Sequence, residues 1–211
     1  MMMPGRFRPS CTTQEVSDTS FRRPPEQAKF LANLSEGRLL TERSEHQRRV
    51  SIVLALGIVG GLILLDETIL GVALPTIRAD LNGSPTQGHW VLNAYLLAFT
   101  CLSGVGGKCM DLFGLRRAMI LSCTVFAASS LIAGFADSMS MLIAMRAIQG
   151  ACAAVMFPLT FAGSSSTFPV EQRGKAMGLQ AGTSSLFLVA GPLAGGFLTD
   201  FVSWRWIFWI N

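Results

Sequence analysis

Long apolar runs separated by short polar links dominate the chain from Val50 onward. Each run approaches the roughly 20 residues that a helix needs to cross a hydrocarbon core of about 30 Å. Five full runs occupy residues 50–76, 90–107, 117–136, 139–163 and 176–199, and "WRWIFWIN" opens a sixth. Lipid offers no hydrogen bonds to peptide groups, so each run is predicted to be α-helical. The fold class that follows is all-α, a polytopic transmembrane helical bundle. Residues 1–49 read differently. They are polar and rich in Arg, Ser, Glu and Pro, as in "FRRPPEQ", and they lack the apolar segment of a signal peptide. A disordered cytoplasmic tail is expected there.

Composition agrees with the pattern. Half of the 211 residues are hydrophobic and only 14% are charged, too few charges for an ordinary soluble domain. The net charge of +4 invites a nucleic-acid reading, but Lys and Arg form no stripe interleaved with aromatic residues, so no nucleic-acid partner is expected. The basic residues instead gather in the tail and in alternate links: 14 of the 17 lie in the tail, in the link after the second run (Lys108, Arg116, Arg117) or in the link after the fourth (Arg173, Lys175). Short loops rich in Lys and Arg face the cytoplasm, which places the amino terminus inside. The five cysteines form no CxxC pair and no metal-site spacing, so they read as small apolar residues. His89, beside Trp90, reads as an interfacial residue.

A few residues do not belong in lipid. Asp66 and Glu67 stand side by side in "LLDETILGVALP". From Val50, Asp66 lies roughly 24 Å into the bilayer at 1.5 Å per residue. The fourth run crosses in the opposite direction, and Arg146 lies on the order of 10 Å from its outer end. The depths match, so an Asp66–Arg146 pair or a proton held on Asp66 would relieve a burial cost of about 2.5 kcal/mol or more per charge. Adjacent residues on a helix point about 100° apart, so only one of Asp66 and Glu67 is expected to face the shared interior. A purely structural lock between the first and fourth helices is the competing reading.

Other stretches combine polar and small residues. In "RAIQGACAA", Arg146, Gln149 and Gly150 fall on one helical face, followed by Ala153 and Ala154, which permit close helix approach. In "AGPLAGG", Pro192 removes a backbone donor while Gly191, Gly195 and Gly196 allow a neighbouring helix to pack. The link "GKCMDLFGLRR" joins Gly107 at a helix end, Asp111, the turn residue Gly114 and the cations Arg116 and Arg117.

Taken in order and spacing, "LDETILGVALP", "WVLNAYLL", "GKCMDLFGLRR", "RAIQGACAA", "GPLAGG" and "WRWIFWIN" resemble the major facilitator superfamily, above all its fourteen-helix drug:proton antiporters of the EmrB/QacA subfamily. The resemblance covers residues 50–211 and implies a partial amino-terminal six-helix half of such a transporter. By position, Asp66 matches the acidic residue of the helix-one signature and Glu67 a variable position. Arg146 matches the helix-four arginine, with Gln149 on the same face. Gly107, Asp111, Gly114, Arg116 and Arg117 fall in the cytoplasmic gate loop, and Gly191, Pro192, Gly195 and Gly196 in the antiporter signature of helix five. Gly71, Cys109, Leu112 and Phe187 depart from the usual motif residues.

The resemblance implies proton-coupled efflux of drugs or small organic molecules, cationic or apolar, across the plasma membrane, with protons and the lipid bilayer as partners and no cofactor or metal. Such transporters have twelve or fourteen spans, so transport is expected of a longer protein rather than of residues 1–211 alone. The alternatives are a non-transporting membrane remnant or interaction partner of a full-length transporter, and a metabolite or nutrient symporter. An enzyme is not expected, since no G-x-S-x-G, P-loop, HExxH or CxxC motif is present.

Overall fold

The computed structural model describes the backbone of residues 25–210 and the side-chain surroundings of residues 43–210. Two compact units divide the chain between Ser44 and Glu45. The expectation of a disordered tail falls, for residues 1–24, outside the described residues. From Pro25 the backbone is already helical. Leu, Arg and Glu are frequent there and lose little rotamer freedom in a helix, so polarity alone does not stop helix formation.

Among the described residues six α-helices follow one another: α1 (Pro25–Asp80), α2 (Pro85–Phe113), α3 (Leu115–Gly134), α4 (Met139–Thr167), α5 (Arg173–Phe201) and α6 (Arg205–Ile210), with one 3₁₀ turn at Val170–Gln172. Five helices are long and apolar enough to cross a membrane, and no strand occurs among the described residues. The five runs and the opening of a sixth are thus each helical. Most helices extend several residues beyond the expected spans, because a helix need not end where the hydrocarbon does. It ends where its backbone finds other partners.

Those ends have local causes. Ser84 caps α2: its hydroxyl accepts from the Gln87 N–H at 3.2 Å while the Ser84 N–H donates to Gln87 Oε1 at 2.9 Å, with Pro85 in the first turn. This reciprocal pair satisfies two otherwise orphaned donors. Ser138 caps α4 through the Met141 N–H. The link "GKCMDLFGLRR" proves not to be a loop. Lys108–Phe113 is the last part of α2, and only Gly114 breaks the helix, at φ 75° and ψ 154°. That backbone region is essentially restricted to glycine, which is why so short a turn can reverse the chain.

Three buried apolar clusters line the packet from one end to the other. One includes Ile69, Ile77, Val91, Leu142, Trp204 and Phe208. A second joins Ile63, Tyr95, Phe126, Cys152 and Met156, and the third, Val53, Phe168 and Ala176, sits at the opposite end of α1 from the first. Cys152 is buried as a small apolar residue would be, whereas Cys101 is exposed and Cys109 and Cys123 are partly covered. Large apolar side chains such as Leu186, Val189, Leu193 and Phe201 are more than two-thirds exposed, at 72%, 70%, 76% and 76%. A surface of this kind is stable only where the surroundings are themselves apolar.

Close backbone approach holds α5 against α1. A Cβ built on Gly195 would stand 2.9 Å from the Ile69 carbonyl oxygen, and one on Gly191 would collide with the Thr68 side chain. Phe187 fills the space over Gly61, and the Ser184 hydroxyl donates to the Gly57 carbonyl at 2.9 Å. The Gln180 amide donates to Thr160 of α4 at 2.8 Å. Small residues and interhelical hydrogen bonds are the usual means of helix association where lipid competes with apolar contact. Gly196 differs, with nothing within 4 Å of its would-be Cβ, so the expected close neighbour is absent among the described residues. Gly195→Ala is therefore predicted to lower thermal stability, by about 1–3 kcal/mol from overpacking, whereas Gly196→Ala leaves it unchanged or raises it. Thermal unfolding of the two variants in lipid nanodiscs checks this.

Candidate functional site

Arg146 and Asp66 are both fully buried, on α4 and α1. The guanidinium NH1 donates to Asp66 Oδ2 at 2.5 Å and to Gln149 Oε1 at 3.1 Å, and NH2 donates to Glu67 Oε2 at 3.0 Å. Arg146 and Gln149 reach one point because they stand three residues apart on one helical face. Asp66 and Glu67 do so for a different reason. Their helix positions diverge by about 100°, but the two terminal nitrogens of a guanidinium form a fork wide enough for one carboxylate on each. The expectation that one of the two acids turns away is thus corrected: both reach Arg146, the fork supplying what the helix wheel withholds.

The two acids are not equivalent. The Asp66 side chain is 0% exposed and that of Glu67 27% exposed. Tyr95 of α2 closes another side, its ring centroid 4.2 Å from the Arg146 Cζ. A cation over an aromatic face is attracted by the ring quadrupole, by about 2 kcal/mol or more when desolvated. Gly150 makes this stacking possible, because any side chain there would strike the Tyr95 backbone carbonyl. The sequence pattern placed Gly150 on the correct face but did not single out Tyr95. Its signal was modest: it is the only tyrosine in the chain, within the apolar stretch "WVLNAYLL".

The site is rich in polar atoms. The Tyr95 hydroxyl, Arg146 Nε and Gln149 Nε2 are buried without a protein hydrogen-bond partner among the described residues. One guanidinium faces two carboxylates, leaving one formal negative charge when both acids are ionised. Arg146 forms an ion pair with each of the two acids.

The remaining candidate residues lie apart from this centre. Asp111, Gly114, Arg116 and Arg117 are exposed, as is Gly107, and the three charged ones make no hydrogen bond or ion pair among the described residues. Asp111 follows Tyr95 along α2 by about 16 residues, or roughly 24 Å. In α5, Gly191 and Gly195 abut Thr68 and Ile69, directly after the acidic pair, while Pro192 is exposed and the helix runs through it. The motif of the fifth helix thus sets the position of the carboxylate-bearing turn of α1.

Beyond the site, Asp80 at the end of α1 receives hydrogen bonds from Trp204 Nε1 at 2.8 Å and Arg205 NH1 at 3.0 Å, and Arg205 NH2 donates to the Ala136 carbonyl. This surface clasp ties α1, the end of α3 and the start of α6. Neither Asp80 nor Trp204 was singled out in the sequence, since the pairing spans about 125 residues of separation.

Replacing Arg146 by Lys keeps the charge and loses the fork. A single ammonium cannot hold both carboxylates in the same geometry, and a buried group left unpartnered costs about 1–3 kcal/mol. Arg146→Lys is therefore predicted to lower the unfolding midpoint in nanodiscs, whereas an exposed Arg117→Lys does not.

Comparison with known proteins agrees with this architecture. Residues 56–211 match the family model described as Major Facilitator Superfamily. An uncharacterized MFS-type transporter of Mycobacterium tuberculosis is 40% identical over 145 residues, covering 69% of this chain and 21% of the relative. Multidrug export protein EmrB of Haemophilus influenzae is 36% identical over 162 residues, 77% of this chain and 32% of the relative. Cephamycin export protein CmcT of Amycolatopsis lactamdurans is 39% identical over 151 residues, 71% of this chain and 31% of the relative. The chain thus spans between a fifth and a third of the length of these relatives. With its five long apolar helices and a family match across three-quarters of its length, the chain is a multi-pass membrane protein and belongs to the major facilitator superfamily.

Proposed function

We propose that this chain forms the first helices of a proton-coupled exporter of drugs or other small organic molecules, placed in the plasma membrane with its amino terminus in the cytoplasm. The observation that carries this reading is the Arg146 guanidinium held between Asp66 and Glu67 in the interior of the packet. A structural lock needs one acid for one base. Two acids on one base leave a site that is electrically balanced only when it also holds a proton or a cation, which is the requirement of an exchanger. The names of the relatives, a multidrug export protein and a cephamycin export protein, support the direction of transport and the class of cargo.

The cycle follows from charge balance. A proton arriving from the outer side neutralises one carboxylate, weakens its bond to Arg146 and makes a bound cationic substrate redundant, so the substrate leaves. Rocking of the two halves of the complete transporter about the site then exposes the proton to the cytoplasm. There a new substrate replaces it. The glycine contacts of α5 with the acid-bearing turn of α1 give the rocking motion a direct mechanical path to the charges. The exposed cluster of Asp111, Arg116 and Arg117 lies in the part of α2 and α3 that serves as the inner gate in this scheme, closing against the other half of the full-length protein. Residues 1–211 alone contain no such half and are proposed not to transport.

The test uses the full-length protein in proteoliposomes with an imposed pH gradient and a cationic dye. Asp66→Asn leaves one carboxylate for one guanidinium, with no net charge to exchange, and is predicted to reduce pH-driven efflux at least tenfold. Efflux equal to wild type would show that coupling does not need the charge on Asp66, and would overturn the charge-balance scheme.

A further inference from the structure

The two acids of the site differ in a way that assigns them different work. Asp66 has no accessible surface and is bound by NH1 of Arg146, which also donates to Gln149. Glu67 keeps 27% of its side chain accessible. It uses only Oε2 toward Arg146 NH2, and its Oε1 makes no hydrogen bond to the protein among the described residues. Separating a fully buried ion pair strands two charges away from water, whereas a partly exposed carboxylate can let go of its partner and be solvated as it does so. One guanidinium cannot neutralise both acids, so the surplus charge settles on the acid that water and ligands can reach.

We infer that Glu67 is the exchangeable carboxylate of this site: it takes an organic monocation or a proton in competition, while Asp66 serves as the fixed counter-ion that holds Arg146 in place. This assignment rests on the exporter reading and narrows the exchange to one of the two carboxylates. Glu67 falls at the variable position of the helix-one motif, beside the acidic residue that the motif itself carries. The surroundings suit such a ligand. The Tyr95 ring already faces a cation, the Arg146 guanidinium, and its hydroxyl oxygen, a possible acceptor, is buried without a protein partner among the described residues.

The charged and titratable groups that face Glu67 are few. Asp66 lies beside it on α1, Arg146 faces it from α4, and Tyr95 from α2. From α5 the neighbours of this turn are Gly191 and Gly195, and that helix keeps its ionisable residues, Arg173, Lys175 and Asp200, at its two ends. In α6, Arg205 is engaged by Asp80. A proton and an organic cation therefore compete for one carboxylate with no other acid in reach except the one already bound to Arg146.

The experiment measures equilibrium binding of tetraphenylphosphonium to the full-length protein in nanodiscs between pH 5.5 and 8.5, beside dye efflux in proteoliposomes. Wild type is expected to bind the cation more weakly as the pH falls. Glu67→Gln is expected to bind at least tenfold more weakly and to lose the pH dependence. Glu67→Asp, which keeps the charge on a shorter arm, is expected to recover part of both. An unchanged thermal midpoint in Glu67→Gln shows that the Asp66–Arg146 pair is intact. Wild-type affinity in Glu67→Gln would overturn the assignment, as would absence of tetraphenylphosphonium binding by the wild-type protein. Binding that behaves as expected in a protein that shows no pH-driven efflux would leave Glu67 its cation site and overturn the exporter reading alone.

Discussion

A charge cannot be left unanswered in the interior of a membrane protein, and the arrangement of α1, α2 and α4 is organised around that constraint. Arg146 answers Asp66 and Glu67 from across the packet, and almost every other close contact in the region exists to keep that answer in register. Gly150 lets α2 approach until Tyr95 covers the guanidinium, and Gly191 and Gly195 bring α5 against the turn that carries the acids. The apolar clusters on either side exclude bulk water, which strengthens every electrostatic term within. Stability and chemistry are here the same set of bonds.

The arrangement also fits the change of state that the proposed cycle requires. A buried ion pair is weak evidence of stability, because the desolvation of its members offsets most of their attraction. In the proposed cycle it offers a response to protonation or to a competing cation. Three charged groups of uneven number, one of them partly exposed, form a centre whose lowest-energy partner set depends on what is bound. The α1–α5 contact carries that dependence into the backbone, since glycine-on-backbone packing leaves no side chain to absorb a shift of the helix.

Much of this was legible in the sequence. Spans could be counted because apolar runs of fixed length have no other use in a chain with so few charges, and the pairing of the first and fourth helices followed from matching the depths of Asp66 and Arg146. The roles of Gly191 and Gly195 as close-contact residues followed from spacing. Three features were not legible. Convergence of adjacent acids depends on the width of a guanidinium, which a helix wheel ignores. The stacking of Tyr95 depends on how near two backbones approach, set by a glycine on a different helix. The clasp of Asp80 by Trp204 and Arg205 joins positions so far apart in the chain that no local pattern marks them. Helix ends were also misjudged, since capping by Ser84 and the positive-φ turn at Gly114 lie outside the apolar periodicity.

The claim on which everything rests is that the acid of α1 and the base of α4 are one energetic unit. A double-mutant cycle of Asp66→Asn and Arg146→Met, read by unfolding of the full-length protein in nanodiscs, measures that directly. A coupling free energy of about 1.5 kcal/mol or more, with the double variant more stable than Arg146→Met alone, is the outcome expected of a shared buried pair. Additive effects of the two substitutions would show that the groups do not meet, and the site described here would not exist.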